Sequence, residues 1–186
     1  MSIVRANRWQ RIDGANYGTI LQVVSGRNGD YFSSSSTSWT DITSLTATIT
    51  PYFNTSKILV TLSMGRATTS LNNLDYVCII RVLRNGSDDV AINGNTASNR
   101  LRVCMNVNGL AYNSDHSPGG WSCQALDNPL SSSALTYKAQ VMCQSATYPF
   151  IMNGTPNNND TSATFHSRGQ SSITLMEIAQ LLYKLF

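Results

Sequence analysis

The sequence is short of charge and of the residues that build most active sites. Charged side chains make up 12% of its 186 residues, against about 25% in a typical soluble domain. It contains only two histidines, His116 and His166, and a single glutamate, Glu177. The histidines show neither HxH nor HExxH spacing, and no GxxxxGK[ST] or GxGxxG nucleotide-binding motif occurs. We therefore expect no catalytic residue, no cofactor and no bound metal.

Long apolar stretches and a concentrated basic face are also missing. No run of about 18 apolar residues occurs, so we expect no membrane span. The N-terminus lacks the apolar core of a secretory signal, which favours folding in a cytoplasm. The formal net charge is +3, and because only a short N-terminal segment gathers several arginines, we do not expect nucleic acid as a partner.

The four cysteines do not form a recognisable metal or disulfide motif. Cys78, Cys104, Cys123 and Cys143 are widely spaced, with no CxxC pair and no histidine at zinc-finger spacing. A reducing cytoplasm keeps thiols reduced. Cys78, Cys104 and Cys143 lie within strand patterns. The sequence therefore predicts four free, buried thiols in the assembled particle.

Apolar and polar residues alternate along much of the chain, which is typical of half-buried β-strands. The alternation is clear in residues 45–49, 58–64, 101–107 and 135–143, and Asn-Gly or Pro-Gly pairs stand between such segments. Residues 74–83 are apolar on both faces, so we expect a partner to cover the second face. Eight to ten short strands of this kind predict an all-β antiparallel sandwich or barrel.

Alternation also places Glu177 on the same face as Ile173 and Leu175. A carboxylate on an apolar face needs hydrogen-bonding partners. We expect a structural ion pair with an arginine rather than a general base.

Two arms flank the predicted domain of residues 19–178. Residues 1–18 form an N-terminal anchoring arm and residues 179–186 an apolar C-terminal tail. Neither is long enough to bury its own apolar side chains, and an apolar chain end is unusual. We therefore expect both to contact a partner. The predicted partner-binding residues are Ile3, Arg5, Arg8, Trp9, Arg11, Leu181, Leu182, Tyr183, Leu185 and Phe186.

The order of several segments resembles a family of small structural proteins of tailed phages, notably those of cyanobacteria and other marine hosts. The segments are ILQVV at residues 20–24, a Ser/Thr tract at 33–38, WTDITSLTATITP at 39–51, SKILV at 56–60 and SSITLMEIA at 171–179. The resemblance implies a trimeric jelly roll like the tumour necrosis factor fold, without a catalytic motif. The apolar tail after residue 179 departs from the family pattern and puts the mode of attachment in doubt.

From the residues and the resemblance together we expect a homotrimeric capsid decoration (cement) protein that stabilises the phage head. Its partners would be the major capsid protein or other virion proteins, and it would reside in the virion after assembly in the host cytoplasm. The alternative is a tail-fibre or tail-tip module that binds a host surface glycan through the aromatic loops at 111–121 and 147–161. A third possibility, a carbohydrate-active enzyme on a jelly roll, lacks the paired carboxylates that the chemistry needs.

Overall fold

The computed structural model describes residues 19–69, 76–108 and 119–180. Apart from one 3-10 turn, Thr164–His166, the regular structure in these ranges is all strand, as the alternation predicts. The strands are β1 Ile20–Asn28, β2 Phe32–Ser34, β3 Thr40–Ile49, β4 Lys57–Thr69, β5 Val77–Arg84, β6 Met105–Asn108, β7 Gly119–Asp127, β8 Leu135–Cys143, β9 Phe150–Met152 and β10 Ser171–Ile178.

The strands form two antiparallel sheets that pack face to face. One sheet contains β1, β10 and β4, with β7 beside the first part of β4 and β9 and β2 beside its last part. The other sheet has the order β3-β8-β5-β6. The pairs β5–β6, β4–β7, β3–β8 and β1–β10 are nested inside one another. This nesting is that of a jelly roll, and the predicted sandwich is confirmed.

The core fills the space between the two sheets, and period-two alternation supplies it. Ile58, Val60 and Leu62 of β4 are fully buried, and so are Ile173 and Leu175 of the neighbouring β10. Full burial of one such side chain is worth about 1.5–3 kcal/mol. The core therefore fixes the register of these strands, because a one-residue slip would turn each of these side chains toward solvent.

One predicted strand is shorter than the alternation suggested. Of residues 101–107, only those from Met105 onward belong to a strand, and Leu101 is 56% exposed. The preceding backbone bonds within its own loop, because the amide of Gly94 donates to the carbonyl of Val103. Local hydrogen bonds thus replace the ladder that the side-chain pattern predicted.

The two-sided apolar segment is only partly covered within the chain. Strand β5 begins at Val77, and its inner residues Cys78 and Ile80 are fully buried. Val77 and Ile79 on its outer face are half-buried. The described chain therefore leaves part of this face available to a partner.

The first and last described strands place the two arms together. Strand β1 begins beside the end of β10, and the amide of Ala179 donates to the carbonyl of Thr19 at 2.9 Å. Both arms therefore start from the same end of the sandwich, called here the arm end.

Candidate interaction surface

The ten predicted partner-binding residues lie outside the described residues, as does His116. His166 is described and lies in the 3-10 turn, where its Nδ1 and the hydroxyl of Thr161 are hydrogen-bonded and its ring meets Phe165 edge-on. The described surface next to the points where the two arms begin is therefore the candidate partner site.

The outer face of the larger sheet carries an apolar row near the arm end. The row crosses four neighbouring strands in register, and Leu126 at its edge is 43% exposed. The next row, two residues further from the arm end, is polar. A solvated sheet face usually carries polar side chains throughout. The apolar row consists of Val23, Met176, Leu59 and Leu126, and the polar row of Ser25, Thr174, Thr61 and Gln124.

Further exposed apolar residues surround this row. Ile20 opens β1, Tyr52 and Phe53 lie in the β3–β4 connection, and Leu130 lies in the β7–β8 connection. Seven large apolar residues are exposed in residues 19–69, 76–108 and 119–180. Six of them belong to β1, to β7 or to the β3–β4 and β7–β8 connections, and the seventh, Leu101, lies in the β5–β6 connection. These six form what we call the arm-end surface: Ile20, Val23, Tyr52, Phe53, Leu126 and Leu130.

Leu130 is unusual in its backbone as well as its exposure. It is 70% exposed, and its φ of 50° lies in the left-handed region. That region costs a residue with a side chain about 1–2 kcal/mol. Strained backbone of this kind is concentrated at binding sites. The combination singles out the β7–β8 connection as part of an interaction surface.

A buried carboxylate fixes the elements beneath this surface. Glu177 is fully buried, as its position on the same strand face as Ile173 predicted. Its Oε2 accepts a hydrogen bond from Gln22 Nε2 at 2.7 Å, and its Oε1 accepts one from the amide of Tyr52 at 2.9 Å. Gln22 Nε2 also donates to the carbonyl of Thr50 at 2.7 Å. Glu177 thus ties β10 to β1 and to the β3–β4 connection.

The predicted ionic partner of this carboxylate is different in the structure. Among the described residues, Glu177 is held by a side-chain amide and a backbone amide rather than by an arginine. Gln22 lies directly opposite Glu177 in the β1–β10 ladder. Its neutral side-chain amide is therefore close enough to donate a hydrogen bond to the carboxylate. The expected structural role is retained, with neutral donors.

A second buried carboxylate joins the two sheets at the same end. Asp127, at the end of β7, accepts hydrogen bonds from Arg84 Nη1 and, at 2.8 Å, from the hydroxyl of Tyr137. Its other oxygen accepts the amide of Ala91 at 3.3 Å. Burial, reinforced by the adjacent Asp127, raises the pKa of Tyr137 well above its usual value. The phenol therefore stays protonated and donates to the carboxylate.

Sequence reasoning missed this centre, although the same signal was present. Trp121, Cys123 and Ala125 alternate along β7 toward the inner face, and Asp127 follows in phase. An acidic residue in an inward position predicts a bonded, buried carboxylate, as it did for Glu177. Its partners could not be predicted, since Arg84 lies on another strand and in the other sheet.

The two buried carboxylates have a structural role. Both carboxylates are buried, and every hydrogen bond described for them comes from another group of the same domain. Among the residues that the structure describes, no three His, Cys, Asp or Glu side chains are grouped so as to hold a metal ion. No helix in the same ranges is long and apolar enough to cross a membrane.

The aromatic side chains proposed for glycan binding make internal contacts where they are described. Tyr148 stacks on Tyr76 with ring centroids 4.2 Å apart. Trp121 is half-buried, and its Nε1 donates to the carbonyl of Ala67 at 3.2 Å. Residues 109–118, which include most of the other predicted loop, lie outside the described ranges. Within the two segments proposed for glycan binding, the described Tyr148 and Trp121 rings are thus partly engaged by contacts within the chain.

Comparisons with known proteins do not assign a family to this chain. No protein-family model matches the sequence, and no curated protein matches it significantly. The functional interpretation therefore depends on the arm-end surface and on the resemblance carried by the sequence segments.

Proposed function

We propose that this chain is a non-enzymatic structural protein of a tailed-phage virion, a homotrimer that decorates the capsid and stabilises the head. Three observations support the proposal: the resemblance of the sequence segments, the jelly-roll sandwich and the arm-end surface. The last of these carries it, because it gives the expected attachment a physical location next to both arms.

The size of the arm-end surface favours attachment through several subunits. Full burial of a large apolar side chain contributes about 1.5–3 kcal/mol, so six side chains that are roughly half exposed offer about 5–9 kcal/mol. Association opposes this with about 4–15 kcal/mol. One subunit thus gains little net free energy, whereas a trimer presents three copies after a single association step. These magnitudes favour attachment by several subunits together, which supports the proposed trimer.

The outer face of β5 is where we place part of the trimer contact. Ile79 is half-buried and lies opposite Met142 of β8. Nearby, the guanidinium of Arg81 lies 4.1 Å from the centroid of the Trp39 ring. This cation–π contact holds the charged side chain against the sheet. Light scattering should report about 61 kDa, three times the 20.3 kDa chain. A stable monomer at micromolar concentration would refute the trimer.

The attachment role is tested by polar substitutions on the arm-end surface. Leu126→Gln combined with Leu130→Gln should lower occupancy on particles at least tenfold, since a loss of about 1.4 kcal/mol suffices. Leu101→Gln is the matched control, because Leu101 is a leucine of the β5–β6 connection whose 56% exposure lies between those of the two test leucines, and it is not one of the six residues of the arm-end surface. Occupancy is measured by quantitative mass spectrometry of purified virions, with light scattering to verify that each variant keeps its oligomeric state. Normal occupancy of the double variant would contradict the proposal.

The arms and the location on the virion need separate measurements. Deleting residues 1–18 should leave a soluble, folded domain that no longer joins the particle. Copy number separates the head from the tail: a capsid lattice takes hundreds of copies, whereas a symmetric tail takes few. A low copy number would favour the tail-fibre or tail-tip alternative.

A further inference from the structure

The four cysteines, far apart in sequence, come together as two pairs. Cys78 of β5 and Cys143 of β8 are register partners, and their sulfur atoms lie 2.7 Å apart. Cys104, which directly precedes β6, and Cys123 of β7 both pack against the core where β6 and β7 are in contact, and their thiols are close enough to interact. Both pairs are reduced in this structure.

We propose that these pairs are two disulfide-forming sites, Cys78–Cys143 within one sheet and Cys104–Cys123 between the two sheets, which close when the protein leaves a reducing compartment. The sequence predicts four free thiols in the assembled particle, and this proposal departs from that prediction by limiting free thiols to the freshly folded protein. This inference does not depend on the virion role, since it uses only the positions of the sulfur atoms.

The first pair has the backbone geometry that a cross-strand disulfide requires. The amide of Cys143 donates to the carbonyl of Ser36, on the side away from β5, while the amide of Gln144 donates to Val77. Cys78 and Cys143 are therefore a non-hydrogen-bonded pair, for which the Cα atoms lie about 4.5 Å apart. Disulfides span Cα separations of about 4.4–6.8 Å. The bond can form without moving the strands apart.

The second pair lies at an open side of the sandwich. β6 is an edge strand of its sheet, and β7 borders the other sheet. The amide of Cys104 donates to Ile80 of β5 at 2.8 Å, and Cys123 is in register with Leu62 of β4. Each cysteine is thus anchored to a central strand of its own sheet. A disulfide here would join the two sheets covalently where no strand connects them.

The pairs differ in access, which sets the order of oxidation. Cys104 and Cys123 are half-buried, whereas Cys78 and Cys143 are buried. The thiolate is the form that attacks a disulfide, and each pair contains one cysteine whose pKa is lowered by its neighbouring thiol, Cys123 beside Cys104 and Cys143 beside Cys78. Access to the oxidant therefore distinguishes the two pairs. We therefore expect the inter-sheet pair to react first.

The chemistry requires a disulfide oxidant such as oxidised glutathione. The Cys123 thiolate attacks one of its sulfurs, forming a mixed disulfide and releasing one glutathione thiolate. Cys104 then loses its proton and attacks Cys123 sulfur, which releases the second glutathione thiolate. Two protein thiols lose two protons and two electrons, and one oxidised glutathione becomes two reduced molecules. The Cys78 and Cys143 pair follows the same balance.

The test is to oxidise the folded, reduced protein with excess oxidised glutathione, quench samples over time with N-ethylmaleimide under denaturing conditions, and map the peptides by mass spectrometry. The starting protein should carry four labels. Intermediate samples should carry two, on Cys78 and Cys143, and the final sample none, with mass lower by about 2 Da for each bond formed. Four labels after prolonged oxidation, or linkages between other cysteines, would overturn the proposal.

Single substitutions provide the matched controls. In Cys123→Ser, Cys104 should remain labelled while Cys78 and Cys143 still join, and in Cys143→Ser the pattern should reverse. A new linkage of the orphaned cysteine to a residue of the other pair would show that the pairing is not set by the fold. Wild-type mapping decides the question even if either variant folds poorly.

Discussion

Replacing Asp127 should destabilise this protein far more than replacing an exposed aspartate. In Asp127→Ala, the hydroxyl of Tyr137 and the amide of Ala91 lose their acceptor, and Arg84 loses its charge partner. The Tyr137 side chain is fully buried, so its hydroxyl has no water to replace the carboxylate. An unsatisfied buried group costs more than the lost bond was worth.

The structure sets the magnitude. Removing one partner of a buried ion pair typically costs about 3–5 kcal/mol. Because the Arg84 side chain keeps 21% of its surface exposed, water recovers part of its solvation, and we expect the lower end, about 3 kcal/mol. Tyr137→Phe removes only one of the donors to Asp127, and should cost about 1–1.5 kcal/mol. The double variant should cost less than the sum, by at least about 0.5 kcal/mol.

The assay is urea denaturation followed by circular dichroism at one fixed protein concentration, so that any oligomer contributes equally to each variant. Asp41→Ala is the matched control, because Asp41 also bonds a basic side chain, Lys138, at 2.8 Å but is exposed. Its loss should change the free energy of unfolding by no more than about 1 kcal/mol. Equal effects of the Asp127 and Asp41 substitutions would refute the reasoning.

Three further predictions follow from the packing and the titrating groups. Closing the two disulfides should raise the free energy of unfolding, by about 3 kcal/mol for the shorter loop and about 4 kcal/mol for the longer one, as measured by urea denaturation of oxidised and reduced protein. The raised pKa of Tyr137 means that above about pH 10 the unfolded state releases a proton that the folded state keeps. Stability should therefore fall with rising pH by up to about 1.4 kcal/mol per unit, and comparison with Tyr137→Phe isolates this slope. Gly26→Ala should lower the midpoint of thermal unfolding sharply, because the new Cβ would lie 1.9 Å from the carbonyl oxygen of Thr46, whereas Gly29→Ala meets nothing within 4 Å and should be nearly neutral.

The architecture could be predicted from the sequence because burial in a sandwich has period two. The inner positions of β8 and β10 follow that period without interruption, and those of β4 follow it as far as Met64. The turn at Asn85-Gly86 was also predictable, since both residues have positive φ there, 49° and 88°. Where the pattern failed, at residues 101–103, a hydrogen bond within the loop took the place of a ladder. Side-chain alternation does not encode that choice.

The same limit explains why the cysteine pairs and the arm-end surface were not predicted. Cys78 and Cys143 are 65 residues apart, and only the β5–β8 pairing brings them together. The apolar row likewise needs four strands in register before Val23 and Leu126 become parts of one surface. Periodicity reveals which face of a strand is buried, but it does not reveal which strands are neighbours. Long-range pairing has to be known before either site can be seen.

The arm end reverses the usual distribution of side chains. Scattered exposed apolar residues are ordinary, whereas buried polar groups and gathered apolar ones are informative. Here the carboxylates of Glu177 and Asp127 lie inside, and large apolar side chains lie outside. Glu177 accepts a hydrogen bond from the backbone amide of Tyr52, a member of the arm-end surface. The buried carboxylate thus fixes the backbone of an exposed residue. Ordering a residue costs about 1–2 kcal/mol, and a surface whose backbone is already fixed avoids most of that cost when a partner binds. In the proposed attachment, the buried carboxylates would favour binding at the arm end through preorganisation of its backbone.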